Sequence, residues 1–412
     1  MGRNDSLILL GITKNYSSPM SPREIREIEG LYLVEDLADE YEIRNGLEPF
    51  NLSHWDPSDQ TIQIVLSHLR LPPPPTGIPY IYSYPEGKEE VLRRLGFVSE
   101  QRRCWFVNAG TTAALLGVWW LKAQNISRVV VLGPAYFSVL HACEAVNLPS
   151  SHLYMQRASG RWQLPREEII SAIKGTSRDM ALWVTNPVFS TGCYLSEDDT
   201  AFLASILDGG ATVVADECLS INGYELSRKL GGFKQFLGLY TPHKSLSINS
   251  TKFAAIVFDK RYENFFHGWT DVLAGPLTSS TYSAILHFLG ENFFHFQNAF
   301  FDYLDGVRKE VCRIIRSRAD FIETDEASLG NFITCYIPKV PGLYGYNKDF
   351  LRDLIWGTGA TLIPGVRSHF DPSLGFSFRV NLARACPQFY AAFHRMTEYL
   401  ACAGSCSPSD GT

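Results

Sequence analysis

At 412 residues the chain is long enough for one large α/β domain with a smaller partner, or for two or three domains. A hydrophobic content of 45% and a charged content of 19% are those of an ordinary globular protein, and a net charge of −6 leaves no basic footprint for nucleic acid. Nine cysteines, an odd number without a CxxC pair or zinc spacing, read as reduced thiols and argue against a disulfide or metal framework.

The apolar run Leu7–Ile12 is too short for a signal sequence and no stretch reaches membrane-spanning length, so a cytoplasmic, membrane-free protein is expected. Ser21-Pro22-Arg23-Glu24 has the cap, proline and acid of a helix start. Asn51 to Ser58 is a loop of turn formers that holds two candidate pocket residues, His54 and Trp55; His243 is a third candidate. Pro72 to Pro75 reads as a stiff connector. Gly87 to Leu95 is a short amphipathic helix, entered from the segment containing Tyr82 and Tyr84.

Trp105 to Asn108 reads as a strand, and Ala113 to Lys122 as an apolar helix. The turn between them carries Gly110-Thr111-Thr112. Free backbone amides, two hydroxyls and the positive end of the helix dipole would suit a phosphate there, and an ordinary threonine cap is the competing reading. Further strands are expected at Val129–Leu132, His152–Tyr154 and Ala181–Thr185, with helices around 137–145, 166–173 and 198–207. This alternation predicts a mostly parallel sheet covered by helices.

The stretch from Ala211 to Ile256 carries the chemistry. A β-branched run, Thr212-Val213-Val214, ends on Asp216 and Glu217, at the end of a strand where open α/β sheets place ligands. Thr241-Pro242-His243-Lys244 follows, then Lys252 and a second apolar run, Phe253 to Phe258. An acid that keeps a ring nitrogen protonated and a lysine that forms a Schiff base are two parts of a pyridoxal phosphate site. Past Thr278 a long aromatic-rich helix, about 282–318, leads into a mixed α+β segment. The expected organisation is a large cofactor domain over 51–285, a small domain from 1–50 with 286–403, and a disordered tail over 404–412.

In this order the elements resemble the class I/II aminotransferase-like group of fold type I pyridoxal phosphate enzymes, from about Asn51 to Arg384. The resemblance implies a large domain with a seven-stranded, mostly parallel sheet, a smaller α+β domain, bound pyridoxal 5'-phosphate and a homodimer with sites at its interface. It makes Lys244 the Schiff-base lysine, Asp216 the partner of the pyridine nitrogen and Tyr136, in Gly133-Pro134-Ala135-Tyr136, the ring that stacks on the cofactor. Gly110, Thr111, Thr112, Thr241 and Lys252 would hold the phosphate, joined by Tyr82 of the other subunit, with Tyr84 as the rival; Thr278-Ser279 would also face that subunit. Asn186, in Asn186-Pro187-Val188-Phe189-Ser190-Thr191-Gly192, would bond the cofactor's phenolic oxygen. Arg379, in Phe376-Ser377-Phe378-Arg379, would grip the substrate carboxylate, with Asn186, Trp55 and His54 beside it.

Three departures from that pattern stand out. Leu219 takes the place of a tyrosine, with Tyr194 and Tyr224 as possible replacement hydroxyls; Lys252 stands where an arginine is usual; and Phe189-Ser190 replaces Asn-Pro. An amino acid aminotransferase is the first expectation for function. A non-transaminating enzyme with the same cofactor comes second, carrying out elimination, replacement, cyclisation or oxidation in specialised biosynthesis. A non-catalytic binding or regulatory domain of this fold is a remote third, against which the intact Lys244 argues. No metal site is expected.

Overall fold

The computed structural model describes residues 22–68, 85–97, 101–173, 177–221, 223–249, 252–275, 277–278, 280–281, 285, 287, 292–318, 321–325, 327–338 and 348–405. Tyr82, Tyr84, Ser279 and the proline run at 72–75 lie outside these residues.

Seven strands build the main sheet: β1 (Arg102–Val107), β2 (Arg128–Gly133), β3 (Ser150–Tyr154), β4 (Met180–Thr185), β5 (Thr212–Glu217), β6 (Phe236–Tyr240) and β7 (Ala254–Asp259). Their order is β1-β7-β6-β5-β4-β2-β3, and only β7 runs against its neighbours. Every residue of β4, β5 and β6 is buried, as expected of apolar strands covered on both faces. Alternation sorts them: Val129, Val131, Trp183 and Val214 pack on one side, and Val130, Leu132, Val184, Val213 and Ala215 on the other.

The first of these faces is covered by the helix Gly110–Ala123. It comes so close to the sheet that a side chain at Gly117 would meet Leu237 at 3.3 Å and Trp183 at 3.6 Å. After β2 the chain steps outward to β3, then crosses back to β4 and proceeds the other way. The gap between the ends of β2 and β4 is therefore the switch point at which such sheets form a crevice.

A smaller antiparallel sheet has the order β8-β9-β11-β10, from β8 (Glu323–Thr324), β9 (Phe332–Ile337), β10 (Ile363–Pro364) and β11 (Phe376–Asn381). The helices Pro22–Asn45, Asn292–Arg318 and Pro387–Ser405 join it in one apolar cluster, which runs on to Phe106 and Val257 of the large sheet. The C-terminal helix reaches Ser405, so the first two residues of the expected tail form its last turn. No helix among the described residues is long and apolar enough to cross a membrane.

Candidate active site

The loops after β1, β2, β4, β5 and β6 meet in one cleft at the carboxyl edge of the sheet. Lys244 enters it from a short 3-10 turn, Pro242–Leu246, that follows β6. The turn is fixed from the small-sheet side: Asn331 Nδ2 donates to the Lys244 carbonyl at 2.9 Å, and Gln297 Nε2 donates to Ser245 Oγ at 3.0 Å. Lys244 Nζ lies 5.9 Å from the Tyr136 ring and 5.7 Å from the Trp55 ring.

Gly110 borders the same space. A Cβ there would lie 3.2 Å from Cys218 Sγ and 3.4 Å from Lys244 Nζ, so a side chain would crowd Cys218 and take up the space beside the lysine. Ala109 caps the following helix without a side-chain bond, so the amides of its first turn have no side-chain cap, and Gly110 and Thr111 of that turn line the cleft.

The two acids at the end of β5 part company by alternation. Asp216 shares the face of Val214 and lines the cleft, where its Oδ1 accepts from the Cys218 amide at 3.1 Å. Glu217 points to the other face and is wholly buried. Its oxygens accept from the Leu226 and Ser227 amides and from the Ser227 hydroxyl, so it caps the short helix Leu226–Leu230. Burial raises its pKa to about 8 against the lowering effect of Ser227, with Glu225 adding to the rise.

Arg379 stands on β11 and is 4% exposed. Its Nε and Nη2 donate to the Ser53 carbonyl at 3.2 and 3.1 Å, and its Cζ lies 4.5 Å from the Trp55 ring and 5.1 Å from Phe332. No carboxylate is paired with it among the described residues. Burial, with the neighbouring Arg367, pulls its pKa down to about 9. Lys244 and Arg379 thus approach the same Trp55 ring. That ring is held by its backbone, since the Trp55 carbonyl accepts from Asn249 Nδ2 at 2.8 Å and the preceding carbonyl from Asn381 Nδ2 at 2.6 Å.

Of the residues expected from sequence, Lys244, Asp216, Tyr136, Gly110, Thr111 and Trp55 line the cleft, and Arg379 joins them through Trp55. The others are placed differently. Asn186 has its side chain held by backbone: Nδ2 donates to the Tyr224 carbonyl at 2.9 Å and Oδ1 accepts from the Leu195 amide at 3.1 Å. Phe189 lines the cleft from that loop, with its ring 5.6 Å from Tyr136 and 6.4 Å from Trp55. The Thr241 hydroxyl donates to the Cys218 carbonyl at 2.6 Å, and the Thr112 hydroxyl donates to Asn108 at 2.8 Å.

Lys252 is exposed, and its charge reaches the buried His243. His54 faces solvent beside Asp56 at 3.4 Å. Leu219 does line the cleft, whereas Tyr194 is bonded through its hydroxyl to the Ile221 amide at 2.8 Å and Tyr224 is half exposed. Gly87 is buried in the helix Pro85–Arg94, and Thr278 is exposed with its hydroxyl against Ser280 and Thr281. Sequence reasoning did not assign Thr185 or Cys218 to the site. Their signal was parity: Thr185 is the polar end of an apolar strand, on the cleft face.

No family model matches the chain, and no curated protein sequence matches it. Solved structures do. The chain is similar to an Escherichia coli protein with a methionine aminotransferase function, at 14% identity and a TM-score of 0.72 over 95% of this chain and 100% of that one. It is similar to the N-succinyldiaminopimelate aminotransferase of Mycobacterium tuberculosis, at 15% identity and a TM-score of 0.71 over 92% and 99%. A PLP-bound C–S lyase from Staphylococcus hominis aligns at 13% identity and a TM-score of 0.69 over 96% and 99%. The fold is that of the fold type I, aminotransferase-like enzymes.

Proposed function

We propose that the chain is a pyridoxal phosphate-dependent enzyme acting on an amino acid, with Lys244 as the residue that carries the cofactor and transamination as its reaction. One observation carries this reading. A lysine amine opens into a cleft at the ends of the strands, and the Trp55 ring beside it also meets a buried guanidinium that lacks a carboxylate among the described residues. An α-amino acid has a carboxylate to pair with the guanidinium and an amine that could take the lysine's place on the cofactor.

The residues fit the cofactor. Gly110 leaves room beside Lys244, uncapped helix amides suit a phosphate, Asp216 supplies a buried carboxylate and Tyr136 a ring wall. Pyridoxal phosphate, when bound, supplies an aldehyde to condense with amines and a ring that accepts the electron pair released at the substrate Cα. Asp216 keeps the proton on the ring nitrogen. Lys244 would hold the cofactor and would move the proton at the substrate Cα. Arg379 binds the carboxylate through two parallel hydrogen bonds, and Trp55 and Phe189 keep water from the reacting atoms.

The apolar Leu219 and Phe189 in the cleft favour a second reading, an elimination, replacement or cyclising enzyme that uses the same residues. Both readings include a homodimer, with Tyr82 reaching the second subunit's site. Borohydride reduction followed by peptide mass mapping tests the cofactor claim: the added mass is expected on the peptide containing Lys244, and label elsewhere or none ends it. A panel of amino acids and 2-oxo acids with mass detection of products separates transamination from the second reading.

A further inference from the structure

β4 ends on a polar residue for which the described residues supply no partner. Thr185 is 4% exposed, and its Oγ1 is buried without a hydrogen-bond partner among the described residues. It stands opposite Asp216 in the β4–β5 register and lines the cleft with Asp216, Lys244, Phe189 and Leu219. A hydroxyl withdrawn from water without a replacement bond destabilises a fold, and native interiors satisfy nearly all such groups. The strand does not require the oxygen, since valine has the same branched shape and suits a buried strand equally well.

The neighbours sharpen the point. Phe189 and Leu219 bring no polar side-chain atom, the Asn186 amide is bonded to the backbone of Tyr224 and Leu195, and the Thr241 hydroxyl is given to the Cys218 carbonyl. On the wall next to Asp216, Thr185 offers a hydroxyl without a partner among the described residues; Ser190 Oγ, also without one, does not line the cleft.

We propose that Thr185 is a cofactor-binding residue, its hydroxyl donating to the phenolic oxygen of the bound cofactor on the wall beside Asp216. This rests on the reading of the cleft as a pyridoxal phosphate site. It also makes stability and binding move in opposite directions when the oxygen is removed, which a merely structural hydroxyl would not do. Without cofactor, Thr185→Val loses only an unsatisfied oxygen; with cofactor, it loses a hydrogen bond.

The test compares wild type, Thr185→Val and Thr185→Ser. Apo-protein stability is measured by denaturant unfolding, and pyridoxal phosphate affinity by equilibrium dialysis. Thr185→Val is expected to unfold at the same or a higher denaturant concentration while binding the cofactor about tenfold more weakly, and Thr185→Ser to recover most of the affinity. Equal affinity in wild type and Thr185→Val overturns the proposal. So does a loss of apo stability that parallels the loss of affinity. Borohydride trapping of wild type on Lys244 is run alongside. Absence of trapping fells the cofactor reading and this proposal together, whereas intact trapping with unchanged affinity fells this proposal alone.

Discussion

Two arginines whose side chains are withdrawn from water under aromatic rings, Arg157 and Arg379, differ in the partners they find. Arg157, on the ribbon beside the small sheet, sits 3.9 Å from the Tyr336 ring. Its Nε donates to Asp325 at 2.8 Å and its Nη1 donates to Glu323 at 2.8 Å. Asp325 also accepts from the Tyr336 hydroxyl at 2.8 Å and the Trp162 indole at 3.3 Å, so the cluster is satisfied on every side. Burial works to lower the Arg157 pKa, and the bonds to Asp325 and Glu323 outweigh it and raise the value. Arg379 has similar aromatic cover, is the more deeply buried of the two and has only a carbonyl for a partner, and its pKa falls. A buried charge is expensive unless paired. The first arginine therefore reads as a clamp between elements, and the second as one half of a pair whose other half arrives with the substrate.

The largest effect expected from this contrast is in stability. Arg157→Ala leaves Asp325 buried without its cation and should lower the unfolding free energy by about 3–5 kcal/mol, read as a shift in the denaturant midpoint. The Michaelis constant of the enzyme that remains folded should change little. A variant that unfolds like wild type breaks the comparison at its structural end.

Arg379→Ala should show the reverse. It removes a buried cation with no anion and should leave stability equal or improved, while substrate binding weakens by about 2–5 kcal/mol. Cofactor absorption should stay nearly unchanged, and an unaltered Michaelis constant defeats the assignment. Arg379→Lys should recover little, because an ammonium cannot offer the planar two-bond fork.

The residues that were legible in the sequence are those whose position follows from the chain's order. Asp216 and Lys244 end strands or follow them, and the alternation of apolar strands with amphipathic helices placed those ends on one edge. Arg379 came from the resemblance and Trp55 from its place in the loop at 51–58, and their segments are joined: the Asn381 amide donates to the Leu52 carbonyl at 2.9 Å and the Ser53 hydroxyl to the Arg379 carbonyl. Orientation was not legible. His54 and Trp55 are neighbours on a chain bound to β11, so when the ring turns inward the imidazole faces solvent. Asn186 carries the amide expected to bond a phenolic oxygen, but two backbone groups compete for it locally. Phe189, read only as a departure from a motif, is the side chain that the same loop presents to the cleft.

Smaller effects follow from pH, where two buried groups near the cleft act with opposite signs. His243 lies between Lys244 and Lys252, and burial, reinforced by those two cations, pulls its pKa to about 3 from 6.5. Between those values the unfolded chain binds a proton that the folded one refuses, so stability falls as pH falls through the window. The slope is at most about 1.4 kcal/mol per pH unit. His243→Asn should flatten it in denaturant titrations at pH 3.5 to 4.5, below the range in which Glu217 acts, and an unchanged slope there means that His243 is charged in the fold.

Glu217 is the counterpart, and it distinguishes a satisfied carboxylate from an unperturbed one. Its pKa is raised from 4.5 to about 8, with burial dominating over the bonds from Ser227. Between those values the unfolded chain has lost a proton that the folded one keeps, so this contribution is fully present below pH 4.5 and is lost as pH rises toward 8. From pH 4.5 to 6.5 the two groups oppose each other, and wild-type stability should carry little net slope from this pair. Above 6.5 Glu217 acts without His243. Glu217→Gln should therefore flatten the alkaline side and, in the overlap, uncover the slope that His243 had cancelled. If the variant and wild type run parallel from pH 5 to 8, the three donors around Glu217 hold it ionised. The carboxylate on the far face of β5 would then be held as an anion by its donors, and what separates Arg379 from Arg102, a buried arginine that also donates only to carbonyls, would be the open cleft beside it.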